Sequence, residues 1–119
     1  MAIVHVFTAT GRFSTFDQLC DYLDQTYTED GDGLPSSFMR EVGLSHYEPA
    51  CIEATISDLC KPEPLSRLLS GASYSNQWLD KVDGSKLASA AICVYEPNQL
   101  RHPSRSSLEY IGSYDYVVA

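Results

Sequence analysis

Residues 2–8, Ala-Ile-Val-His-Val-Phe-Thr, carry apolar side chains on both alternating faces. A strand with one wet face would alternate apolar with polar, so this pattern predicts a buried, central strand. Residues 87–96 (Leu-Ala-Ser-Ala-Ala-Ile-Cys-Val-Tyr-Glu) read as a second buried strand. Residues 50–57 differ, because Ala50, Ile52, Ala54 and Ile56 alternate with Cys51, Glu53, Thr55 and Ser57. That is the period of a half-buried strand. Such strands need a sheet to belong to and helices to cover it.

The intervening segments supply the helices. Ser14 is an N-cap candidate, with Asp17 three residues on. Phe16, Leu19, Cys20, Leu23 and Tyr27 then form one stripe, and Asp17, Asp21 and Asp24 form another. Residues 15–26 therefore read as an amphipathic helix with an acidic ridge. Residues 28–35 are a loop of acids, glycines and a proline, and residues 36–42 a short helix that Gly43 stops. Pro62 and Pro64 introduce a helical stretch over 65–70, ended by Gly71. Ser73 or Ser75 starts a further helix through Val82, ended by Gly84. Residues 97–106 form a polar loop before a last strand over 107–118. In that strand Leu108, Tyr110, Gly112, Tyr114 and Tyr116 fall on one side.

The order β-α-α-β-α-α-β-β predicts an α+β fold and one domain over residues 1–119. About four strands would form a largely antiparallel or mixed sheet. Helices are expected on one face, leaving the other partly exposed and rich in tyrosine.

Several functions are disfavoured by what the chain lacks. No apolar run approaches the roughly 20 residues of a membrane span. The first residues show no basic region or cleavage site, so a cytoplasmic protein without a signal peptide is expected. Cys20, Cys51, Cys60 and Cys93 form no C-x-x-C pair and read as buried free thiols, with two disulfides as the alternative. His5 lies between Val4 and Val6 and reads as a satisfied sheet histidine, while His46 and His102 fall in loops. No zinc-protease, nucleophile-elbow or phosphate-loop motif occurs. The segment Asp30-Gly-Asp-Gly with Glu41 resembles a calcium loop until its turn, where Leu34 and Pro35 stand in place of an acceptor and a glycine. The expectation is no catalytic residue, no metal and no cofactor.

Charge is more informative. The net charge is −8, and residues 1–60 hold ten acids against only Arg12 and Arg40, whereas residues 61–119 balance six against six. A negative field of this kind repels nucleic acid and anionic membranes and favours a basic protein partner. The acids lie near Tyr22, Tyr27 and Tyr47, and tyrosines supply rigid contact area at interfaces. Asp17, Asp21, Asp24, Asp30, Asp32 and Glu48 are the candidate partner-binding residues. The last strand equally suits pairing with a second copy in a homodimer.

The residues also resemble a known family. His5-Val6-Phe7 opens the match, and Phe13-Ser14 leads a helix into Tyr22-Leu23. Next come Glu29-Asp30-Gly31-Asp32, Ser37-Phe38 with Glu41, Gly43-Leu44 and Tyr47-Glu48, then Leu68-Leu69 and Ser73-Tyr74-Ser75. In this order they are similar to the bacterial immunity-protein family numbered twenty-two, formerly a domain of unknown function. The resemblance implies an antidote that binds a cognate toxin and blocks it. It supplies no catalytic residues and does not specify the toxin's activity. A protein-binding adaptor, and a small-molecule binder or enzyme with a pocket beside the sheet, are the competing readings.

Overall fold

The structure is a computed structural model and describes residues 1–118. Its principal sheet has four strands: β1 (Ala2–Ala9), β4 (Ile52–Ile56), β7 (Ala90–Val94) and β8 (Glu109–Tyr116). Between β1 and β4 lie α1 (Phe16–Leu23), the short pair β2 (Thr26–Tyr27) and β3 (Gly33–Leu34), and α2 (Ser37–Val42). Between β4 and β7 lie β5 (Glu63–Pro64), α3 (Leu65–Leu68), α4 (Ser75–Trp78) and β6 (Leu87–Ala88). The spatial order is β4-β7-β1-β8, and every pairing is antiparallel. The fold is α+β, as expected, and β1 is central, as its two apolar faces require. The radius of gyration of 14.0 Å is close to the ~13.5 Å of a compact chain this long.

Helices cover both faces of the sheet, which corrects the expectation of one covered face. On one side Phe7, Ile92 and Val94 pack against Leu19, Leu23, Phe38 and Val42 of α1 and α2. On the other, Val4, Val6, Ala91 and Cys93 pack against Leu65, Leu68 and Trp78 of α3 and α4. The reason lies in β1 and β7 themselves: with apolar groups on both sides, a single helical layer would leave half of them in water. The tyrosine-rich side is therefore buried, with Tyr95 5% and Tyr116 3% exposed.

A second correction concerns β8. Val6 pairs with Gly112 but Phe7 pairs with Tyr110, so Ile111 is an extra residue, a β-bulge. Alternation breaks there. Tyr110 joins Phe7 on the α1–α2 side, ring centroids 5.1 Å apart. Tyr114 turns to the opposite side and stacks on Trp78 at 6.0 Å. Gly112 has φ +150°, and a Cβ there would meet the Tyr114 hydroxyl at 3.2 Å.

Local boundaries also shift. The segment read as one strand over 87–96 divides at Ser89, where Leu87–Ala88 pairs with Glu63–Pro64 in a separate ladder. All four cysteines are free thiols, but only Cys93 is buried; the other three are half-buried. Burial, reinforced by the nearby Glu53 charge, pushes the Cys93 thiol up to about 12. His5 accepts or donates one bond with the Tyr110 hydroxyl at 2.9 Å, and burial lowers its pKa against the opposing pull of Glu96.

Candidate functional site

The acidic surface is built on α1. Thr15, one residue later than expected, caps the helix through the Gln18 N–H. The Gln18 side chain in turn accepts the Ser14 N–H at 2.7 Å, so two otherwise unpaired donors are satisfied reciprocally. Leu19, Tyr22 and Leu23 form the buried face. Phe16 and Tyr27, placed in the buried stripe by spacing, are 47% and 63% exposed. The helix ends at Leu23, so Tyr27 lies on β2 and no longer follows the helical period.

Asp17, Asp21 and Asp24 are all exposed on the outer side of α1. They form one cluster around Cys20, whose thiol is pushed up by burial and by the charges of Asp24, Asp17 and Asp21. Asp17 sits in the first turn, where the helix dipole favours an acid. Asp24 stands at the C-cap, where the dipole disfavours one. Its carboxylate accepts the Tyr47 hydroxyl at 2.8 Å, and burial with the Asp24 bond raises the Tyr47 pKa.

Asp30 and Asp32 project from the turn of the β2–β3 hairpin. The turn is closed by its own backbone: Thr28 N–H donates to the Asp32 carbonyl at 2.9 Å, and Gly31 N–H to the Thr28 carbonyl at 2.9 Å. Asp32 N–H adds a bond to the Thr28 hydroxyl at 3.1 Å. Tyr27 and Leu34, 63% and 47% exposed, stand on the strands that carry these acids. Sequence reading named Tyr27 among the interface tyrosines but did not single out Leu34 beside it. The signal was the two-residue pairing of Tyr27 with Gly33 and Thr26 with Leu34, too short to read from periodicity.

Glu48 stands apart from the other five. It is half-buried, and its carboxylate accepts the Ala50 N–H at 3.1 Å, capping the turn Pro49–Cys51. Asn98 holds its backbone from both sides, accepting the Glu48 N–H at 2.8 Å and donating to its carbonyl at 3.0 Å. Glu41 is likewise occupied, by Tyr22 and Ser107.

The surface is electrostatically uncompensated. Among the described residues the one ion pair is Lys86–Glu109 at 2.8 Å, which lies outside the first sixty residues. No three His, Cys, Asp or Glu among the described residues converge to hold a metal. No helix among them is long and apolar enough to cross a membrane.

Comparison with curated proteins and with solved structures gave no match. The family model described as Immunity protein 22 matches residues 5–117. That span takes in most of β1, the other three strands of the principal sheet, both helical layers and the acidic surface, and the chain belongs to the Immunity protein 22 family.

Proposed function

We propose that this immunity protein neutralises a cognate bacterial toxin by binding it directly and occluding its working surface. The contact is the exposed side of α1 together with the β2–β3 hairpin, and the protein acts by binding, not by catalysis. The observation that carries this reading is a set of ten acids in residues 1–60, none of them within ion-pair distance of a base. Acids arranged this way oppose one another in the free protein, and a basic partner relieves the repulsion. Tyr27 and Leu34 supply apolar anchors beside Asp30 and Asp32, the composition of an interface centre with a charged surround. Asp17, Asp21, Asp24, Asp30 and Asp32 are the charged contacts. Glu48, whose carboxylate caps the Pro49–Cys51 turn, is left out of the charged contacts. The protein works in the cytoplasm as one domain, on a toxin with a basic surface.

Co-expression tests this. The toxic domain encoded beside this gene is induced in a host with and without the protein. Growth restored only when the protein is present, with a complex that co-purifies, is the expected result. Killing that continues despite folded protein rejects the pairing.

A further inference from the structure

β4 is an edge strand, paired only with β7. Ile52, Ala54 and Ile56 pack with the α1–α2 side. On the opposite side Glu53 and Thr55 remain half-buried, because α3 and α4 pack mainly against β1, β7 and β8. Two clefts result, and they meet at Glu53. One, of about 310 Å³, passes over Ala54, Leu68, Leu69 and Ala91. The other, of about 240 Å³, is lined by Tyr74, Tyr95, Tyr116 and Glu96.

The Glu53 carboxylate is fixed by three neutral donors. One oxygen accepts the Ser73 N–H and the Tyr95 hydroxyl, each at 2.9 Å. The other accepts the Ser73 hydroxyl at 2.5 Å. Neutral donors orient a carboxylate without cancelling its charge. Among the described residues neither Glu53 nor Glu96 has a base within ion-pair distance. The aromatic wall is equally preset: Tyr74 stacks on Tyr116 with centroids 4.8 Å apart, and Tyr95 meets Tyr116 edge-on at 5.5 Å. Tyr74 takes a left-handed backbone, φ 59°, which non-glycine residues seldom adopt. Its ring is thereby held half-exposed at the cleft. Aromatic faces and carboxylates both attract a cation, and the adjoining apolar cleft suits the methylene stem behind one.

We propose that this double cleft binds a lysine side chain of a protein partner, its ammonium between Glu53, Glu96 and the tyrosines and its stem toward Leu68 and Leu69. The inference deepens the reading of the chain as a protein-binding antidote. It places a second contact on the α3–α4 side of the sheet, independent of the acidic helix.

The test uses the intact protein and a free probe, N-acetyl-lysine methylamide, with N-acetyl-norleucine methylamide as the uncharged control. Ring signals of Tyr74, Tyr95 and Tyr116 are followed by NMR at low salt. The lysine probe is expected to shift these signals saturably, with affinity at least about tenfold above the control. Glu53→Gln and, separately, Glu96→Gln are expected to remove that difference. The second variant keeps the test decisive should the first disturb the Ser73 turn. Equal response to both probes, or none to lysine, overturns the proposal. Lysine binding without toxin rescue keeps the cleft and rejects the antidote reading; rescue without lysine binding does the reverse.

Discussion

Tyr22 donates its hydroxyl to Glu41 at 2.6 Å, and the Ser107 N–H reaches the same oxygen at 2.7 Å. The Arg12 guanidinium lies 4.4 Å from the Tyr22 ring centre. One carboxylate thus ties α1, α2 and the segment leading into β8 together. Burial alone would raise its pKa, but the Tyr22 and Ser107 hydrogen bonds and the Arg12 charge outweigh burial and hold it below the ordinary 4.5. A lowered folded-state pKa means that the stabilisation is fully present above the unfolded value and is lost as pH falls through the folded one. Glu41→Gln is therefore expected to cost about 1 kcal/mol at neutral pH, the modest value reflecting a partly solvated group. The gap from the parent protein should close as pH falls below the ordinary carboxylate value of 4.5 and through the lowered folded-state one. Urea unfolding at a series of pH values measures it; a gap independent of pH would show that the charge of Glu41 contributes nothing.

At the scale of the element, the β8 bulge decides which core each tyrosine enters. With regular alternation Tyr110 and Tyr114 would share a face, and one of the two cores would lose one of its aromatic rings. Ile111 as an extra residue sends Tyr110 to Phe7 and Tyr114 to Trp78. Gly112 permits this because its φ of +150° excludes an ordinary side chain. Gly112→Val should destabilise the protein by about 1–3 kcal/mol through strain and the clash with Tyr114. The denaturation midpoint reports the loss, and an unchanged midpoint would mean the strand tolerates regular pairing. α2 offers a contrast, since Gly43 takes φ 70° at the C-terminus just where a helix stop was read.

At the scale of the whole molecule, charge separates from packing. The two cores hold the sheet from both sides, while the acids sit on α1 and its hairpin outside either core. Altering the outer acids should therefore leave stability within about 0.5 kcal/mol. Asp21→Lys with Asp30→Lys is expected to slow association with the toxin by roughly tenfold at low salt. The parent's rate should fall as ionic strength rises to about 0.5 M, and the double variant's rate should fall far less. Stopped-flow mixing of the two proteins reads both. Equal rates and equal salt slopes would remove the α1–hairpin surface from the interface.

Much of this was legible from residues alone. The central strand followed from apolar groups on both faces of residues 2–8, and the half-buried strand from the strict alternation around Ile52–Ile56. The helices before and after the acidic turn followed from spacing and caps, and the concentration of charge in the first half needed only counting. These features are local, repeating every two residues or every three to four, and a short window contains them. Other features depended on partners far along the chain. Whether helices cover one face or both depends on where α3 and α4 return, and the bulge depends on β8 meeting β1 a hundred residues away. Glu48 and Asp24 look alike in the sequence, yet one carboxylate caps its own turn and the other stays exposed beside Tyr47. The meeting of Glu53 with Ser73, Tyr95 and Tyr116 has no sequence spacing at all, because β4, the α3–α4 turn, β7 and β8 come together only in the folded sheet. Periodicity records which side of an element is apolar; tertiary packing alone decides what that side meets, and so which polar groups are left facing a partner.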